Sequence, residues 1–422
     1  MTGARTSSGH DPSGGRPRLG AVLTGLCVTE ICSWGVLYYA FPVLAPRISA
    51  DTGWTTASIT AAFSAALVVC ALLGVPVGRL LDRRGPHALM TVGSVLATGS
   101  VVLVATAPTL PVFVLGWLLS GIAMSGVLYP PAFAALTRWY GPRRLTALTA
   151  VTLVAGLAST VFAPLTEALA GLMTWREVYL VLAVVLAVVT IPLHAVLLRR
   201  PWPSDGRREH AADGGDATYA RAIVRGRPFF FLVTGMTCGA LAMFAALINI
   251  VPLLGERGVS SSLAAWTLGI GGVGQVVGRL FYARLARGTG VRARTLAVFG
   301  LIAVTTLAFA VVPGHAAWFL TVSVLSGVGR GIATLLQATA VTDRWGPRAY
   351  GRISGVLGAP MLAASALAPW VGAGLADVLG SYTAMYYVLA GLAVLAVVLL
   401  AASVPPQRPG RRGLGLPAGR SG

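Results

Sequence analysis

An ionised side chain in the middle of a hydrocarbon layer costs roughly 2.5 to 3.5 kcal/mol on insertion scales, so it is kept there only for a reason. Two residues stand in that position: Glu30, about ten residues into the first apolar run, and Arg330, about fourteen residues into a later one. At about 1.5 Å per residue, Glu30 would lie roughly 15 Å deep, near the midplane of a bilayer. Cys27, Glu30, Trp34 and Tyr38 share one helical face, and Ser323, Ser326, Arg330, Thr334 and Gln337 share another. Both faces are more polar than lipid tolerates. A carboxyl can take up and release a proton, and a guanidinium can hold a carboxylate through its planar fork. Permanent pairing of the two as a structural ion pair is the competing reading.

The elements that must position them are apolar runs. Of 422 residues 56% are hydrophobic and 11% charged, whereas soluble domains carry about 25% charged residues. Runs fall near 20–45, 53–81, 87–107, 110–136, 145–165, 178–198, 228–254, 261–283, 294–313, 316–339, 352–375 and 383–403, each able to cross a core of about 30 Å. Lipid offers no partner to an unpaired backbone amide, and the runs lack the alternation of barrel strands. The expectation is an all-α membrane protein with twelve transmembrane helices. Arg5, Arg16 and Arg18 precede the first run, but that run is too long for a signal peptide and lacks a small-x-small cleavage site, so it reads as a retained helix. Cys27, Cys32, Cys70 and Cys238 lie inside apolar runs without metal-ligand spacing, and the five histidines are dispersed. With no H-E-x-x-H and no phosphate-cradling loop, the chain is read as no enzyme, with no cofactor or metal.

A net charge of +19 would suggest nucleic acid in a soluble protein, so its placement decides. All 32 basic residues are arginine. With both tails on one side, that side collects twenty-six of them; the opposite loops hold Arg47, Arg176 and Arg257, and Arg79, Arg279 and Arg330 fall within runs. The positive-inside rule then places both termini in the cytoplasm, and the charge is a topology signal with no nucleic-acid partner implied. The expected location is the bacterial cytoplasmic membrane, with no obligate protein partner evident.

Residues 199–227 turn polar, with Pro201, Pro203, Gly214, Gly215 and seven arginines. This predicts a tail at 1–19, a six-helix bundle at 20–198, a cytoplasmic linker at 199–227, a second bundle at 228–403 and a tail at 404–422. Repeats fit that division: Val77-Gly78-Arg79-Leu80 recurs as Val277-Gly278-Arg279-Leu280, Gly141-Pro142-Arg143 as Gly346-Pro347-Arg348, Ala163-Pro164 as Ala368-Pro369, and Val181-Leu182-Ala183 as Val388-Leu389-Ala390. Duplicated halves imply a pseudo-two-fold axis along the membrane normal and a site between them.

Gly78-Arg79-Leu80-Leu81-Asp82-Arg83-Arg84-Gly85, between the second and third runs, resembles the G-x-x-x-D-R-x-G loop of the major facilitator superfamily. Within it, the chain is most similar to the monocarboxylate and oxalate-formate porters. Glu30 before Ser33-Trp34-Gly35 and Tyr38-Tyr39, Trp139 to Ala147 before the fifth run, and Gly272 to Gly278 leading to Arg279 carry that likeness. Gln275 stands where the group has an acidic residue, and the absence of lysine argues against oxalate.

The resemblance implies two pseudo-symmetric six-helix bundles that rock around a central cavity lined by helices one, four, seven and ten. It implies a secondary transporter of a small organic anion, coupled to protons. Arg330 and Arg279 would hold the substrate carboxylate, Tyr38, Trp34, Asn249, Gln337 and Tyr129 would line the cavity, and Glu30 would carry the proton. Gly78, Asp82, Arg83 and Gly85 would form a gating loop. Since helices one and ten face one cavity, a Glu30–Arg330 pair is also compatible. The rival is a proton-coupled drug exporter, but Ala163-Pro164-Leu165-Thr166-Glu167-Ala168 lacks the flanking glycines of the G-P-x-x-G-G stretch common in such antiporters. A membrane enzyme or transporter-derived receptor is the remote alternative.

Overall fold

The computed structural model describes residues 19–202, 214–311, 315–346 and 349–404. Both tails, the middle of the linker and the side chain of Asp82 lie outside the described residues. The described chain is helical throughout, without strands: α1 (Leu19–Thr52), α2 (Thr56–Arg84), α3 (Pro86–Thr106), α4 (Leu110–Tyr140), α5 (Arg144–Ala155 and Ala158–Ala170), α6 (Trp175–Leu197), a linker helix (Gly214–Val224), α7 (Arg227–Ile248, extended by Ile250–Glu256), α8 (Ser261–Gly288), α9 (Val291–Val311), α10 (Ala316–Trp345), α11 (Tyr350–Leu379) and α12 (Tyr382–Ala402). Eleven of these are long and apolar enough to cross a membrane. The expected eighth crossing corresponds to α8, which has 28 residues but is made more polar by Arg279, Arg284, Arg287 and its many glycines.

The halves pack alike. α2 lies on α4 as α8 lies on α10, α3 on α6 as α9 on α12, and α1 on α5 as α7 on α11. Between halves α2 meets α11 and α5 meets α8, the crossed pairs that a two-fold relation generates. Where transmembrane helices approach most closely, small residues replace side chains. A Cβ on Gly274 or Gly278 of α8 would run into the α10 backbone at Val324 or Val328, and one on Gly327 or Gly331 of α10 into the α8 backbone at Gly271 or Gln275. In the first half, a Cβ on Gly121 of α4 would strike the backbone of Ala66 of α2.

The first helix begins, and the last ends, on what we term the terminal face. On the opposite, distal face, four of the six even-numbered helices, α2, α6, α8 and α12, start behind hydroxyl caps: Thr55, Ser260 and Ser381 each accept from an amide three residues on, and Thr174 forms a capping box with Glu177. The three distal arginines close helix C-termini. Arg47 donates to the carbonyl of Ala170 and to Glu167 at 2.6 Å, Arg176 to the carbonyls of Ala105 and Ala107, and Arg257 to that of Ala310. Next to Arg257, Glu256 accepts from Ser381, Tyr382 and Thr383 at the start of α12. Partial burial pushes the Glu256 carboxyl up, but the Tyr382 amide and the Ser381 and Thr383 groups outweigh it and hold it below the usual carboxylate range.

Two outcomes follow from this packing. Gly327→Ala should destabilise by about 1 to 3 kcal/mol, because its methyl meets backbone, whereas Gly300→Ala, which meets nothing, should be silent; thermal unfolding of the detergent-solubilised protein compares them. Because the folded-state value of Glu256 is depressed, its contribution is present above the ordinary carboxylate value and lost as pH falls through the lower folded value. The stability gap between wild type and Glu256→Gln should therefore hold from pH 7 down to the ordinary carboxylate value of 4.5 and shrink below it, and a gap unchanged below that value would refute the assignment.

Candidate functional site

The centre of the bundle is built around an irregularity in α1. Residues Gly35–Tyr39 form a π turn, and Gly35 lies where any side chain would enter the Phe162 ring of α5. A π turn inserts one residue into the helical repeat, and such turns concentrate at functional sites. Here it turns Tyr39 as well as Tyr38 toward the second half: both lie within electrostatic reach of Arg330, and Tyr39 also of Arg279. Tyr39 is a candidate that regular helical spacing hides, since that spacing selects Tyr38 alone.

Glu30 is fully buried one turn before Trp34, and neither carboxylate oxygen has a hydrogen-bond partner among the described residues. The Trp34 indole N–H lies near without meeting hydrogen-bond geometry. Trp34 packs on Tyr38 at 5.5 Å and on Tyr129 at 5.0 Å. Tyr129 stands at a break in α4, where Leu128 is extended and Pro130 and Pro131 start a new helical segment. It is within reach of both Glu30 and Arg279.

Arg330 is 6% exposed, with its Nε unpartnered among the described residues and its Nη2 against Gly271, where a Cβ would come to 2.8 Å. Arg279 crosses between halves and donates to the carbonyl of Thr152 in α5. The two guanidiniums lie close enough to interact electrostatically. The Glu30–Arg330 pair is not formed: Glu30 looks toward Trp34 and Tyr129 while Arg330 is drawn toward α8 and the tyrosines, and the ion pairs among the described residues are Arg47–Glu167 and Arg294–Asp343. The centre thus holds two arginines facing tyrosines, with a carboxyl set to one side.

The remaining candidates disperse. Asn249 is buried at the break in α7, where its Nδ2 donates to the Ala245 carbonyl at 2.9 Å and it packs on Gly372 of α11, while its Oδ1 has no partner among the described residues. Gln337 is exposed and lines a cavity between α7, α9, α10 and α11. Of the loop motif, Gly78 has no neighbour within 4 Å of its Cβ position and Arg83 is exposed. Gly85 has φ 76°, which favours glycine, and abuts Trp202 of the linker, itself stacked by Arg138 at 4.4 Å. Between α2 and α11 the halves touch in the distal part of the seam, where the Trp370 amide donates to Ser64 at 3.1 Å, whereas α5 and α8 touch from Thr160, which donates to the Gly269 carbonyl at 2.8 Å, to the Arg279 bond at Thr152. Nearer the terminal face Gly74, Gly78, Gly355 and Gly358 have nothing within 4 Å.

Two helical bundles meeting around buried charges define a polytopic membrane transporter. Residues 26–359 match the Major Facilitator Superfamily, and the chain belongs to that family. It is similar to monocarboxylate transporter 13 of Rattus norvegicus, 27% identical over 380 residues covering 86% of this chain and 82% of that one. Similarity to monocarboxylate transporter 11 of Homo sapiens is 28% over 388 residues, covering 88% and 79%. Among solved structures, the fold matches a mutant of the nucleoside transporter NupG with a TM-score of 0.74 at 14% identity, covering 91% of this chain and 100% of that one. It also matches a bacterial homologue of the human lysosomal transporter Spinster in an inward-facing, unoccupied conformation, with a TM-score of 0.69 at 17% identity, covering 91% and 95%.

A buried carboxyl without a partner contributes nothing to stability. Glu30→Gln should unfold at the same temperature as wild type or higher, measured by differential scanning fluorimetry in detergent; a fall of several degrees would make Glu30 a structural residue.

Proposed function

We propose that the protein moves a small organic monocarboxylate across the bacterial cytoplasmic membrane by alternating access, coupled to protons, with twelve crossings and both termini in the cytoplasm. The observation that carries this reading is the pair of arginines, Arg279 and Arg330, lying near each other opposite Tyr38, Tyr39 and Tyr129 with no carboxylate between them among the described residues. Two such cations in low dielectric favour an anion strongly, and a carboxylate accepts from guanidinium and phenol groups together. Similarity to proteins named monocarboxylate transporters supports the same substrate class.

Glu30 takes the proton in this scheme. Its path to the substrate runs through Tyr129, which lies near Glu30 on one side and Arg279 on the other. Residues 20–198 and 228–403 act as the rocking units, joined by the linker at 199–227. The absence of neighbours at Gly74, Gly78, Gly355 and Gly358, against close contacts distally, supports a state open toward the terminal face. In the opposite state the Gly78 to Gly85 loop, through Asp82 and Arg83, would engage the second bundle. The aromatic surroundings of Glu30 would also suit a lipophilic cation, which is the exporter reading.

The test is uptake of radiolabelled monocarboxylates into proteoliposomes, with and without an inward proton gradient. Arg330→Ala should lower uptake by about tenfold or more, the loss of a charged hydrogen bond worth about 1.5 to 3 kcal/mol. Glu30→Gln should keep exchange but lose the response to the gradient. Proton-driven efflux of a cationic dye, with no acid uptake by wild type, would overturn the reading in favour of the exporter.

A further inference from the structure

A cavity of the second bundle lies one helical turn from Arg330. It occupies about 200 Å³ between α7, α9, α10 and α11, with Met236, Met243, Phe244, Phe299 and Met361 in its wall. Among the described residues, no charged side chain lines it. Its hydroxyls are tied to their own helices, Thr334 donating to the Arg330 carbonyl and Ser365 to that of Leu362, both at 2.9 Å. Gln337 makes no hydrogen bond among the described residues. Arg330, Thr334 and Gln337 share one face of α10, so the cavity begins one turn, about 6 Å, below the guanidinium-bearing residue and continues for roughly 5 Å more.

We infer that this cavity receives the apolar body of the transported anion while Arg330 holds its carboxylate, so that the substrate is an amphipathic monocarboxylate with a ring or a compact branched chain. The inference rests on the monocarboxylate reading above and narrows it. An apolar cavity of about 150 Å³ is large enough for benzene, so this one accepts an aromatic ring with a short linker to the acid. A two- or three-carbon hydroxy acid would leave the methionine and phenylalanine wall wet and lose the burial that favours binding. Methionine side chains re-pack around different shapes, so the site discriminates by size and apolarity more than by outline. Gln337 offers a free amide at the end farthest from the arginine, where a ring substituent would reach it.

Binding of 3-phenylpropionate and of lactate to the full-length protein in nanodiscs tests this, with affinities read by titration calorimetry. Wild type should prefer 3-phenylpropionate by about tenfold or more, and Arg330→Ala should weaken both acids. A Cβ on Gly358 meets nothing within 4 Å, so Gly358→Leu fills the cavity without displacing backbone and should cut that preference about tenfold. Met243→Ala enlarges the cavity and should shift preference toward 3-(2-naphthyl)propionate, which keeps the test open if the leucine variant fails to fold. Equal affinity for the two acids in wild type, or preferences unchanged in both variants, overturns the inference and leaves the anion reading standing. Binding of uncharged 3-phenylpropanamide as tight as that of the acid also overturns it, marking the cavity as a site for lipid chains. Binding of neither acid overturns both.

Discussion

Helices in lipid gain nothing from hiding apolar surface from one another, so how closely they approach depends on what lies between their backbones. At the α8–α10 crossing almost nothing does. Gly271, Gly274 and Gly278 on one side and Gly327 and Gly331 on the other let the backbones touch. That contact sets the place of both central arginines, since Arg279 follows Gly278 directly and Arg330 sits between Gly329 and Gly331 with its Nη2 on Gly271. The same glycines make α8 less apolar than its neighbours, so the feature that builds the site weakens the signal of the helix that carries it.

The first bundle reaches its part of the centre by different means. Bending, through the π turn at Gly35–Tyr39 and the break at Leu128, brings Tyr38, Tyr39 and Tyr129 inward, while Gly35 admits Phe162. Distally a stack of Phe41, Phe63 and Trp117 braces these helices, with Phe41 and Phe63 at 4.3 Å and both rings edge-on to Trp117. Two helices broken near the centre, on an aromatic base, face a pair of helices whose crossing is closed by glycine. That asymmetry coexists with matching helix pairings in the two halves.

Charge is used sparingly and differently at each level. On the distal face the three arginines are tied to helix ends, so they serve local structure there despite the bias that empties that face of positive charge. At the centre Arg330 and Glu30 lack such partners among the described residues. On the terminal face the start of the linker is anchored, the Trp139 indole donating to the Pro201 carbonyl at 3.2 Å and Trp202 lying on Gly85. The loop that resembles the family motif therefore carries a contact to the linker that its sequence does not announce.

Whatever depends on the solvent was legible in the residues alone. The apolar runs, the arginine asymmetry and the oddity of Glu30 and Arg330 all follow from the cost of polar groups in hydrocarbon, which acts on each segment separately; the family was legible through the resemblance of the Gly78 to Gly85 loop. What depends on how segments meet was decided only by the tertiary structure. A face of ideal periodicity put Glu30 in line with Tyr38 and left room for a pair with Arg330. The π turn changes that register, bringing in Tyr39, and the glycine crossing holds Arg330 near Arg279 instead. The family resemblance puts Asn249 in the cavity wall; in the structure its Nδ2 meets its own helix at the break in α7 while its Oδ1 is buried without a partner among the described residues. Local sequence records the demand for a partner; only the packed bundle supplies it.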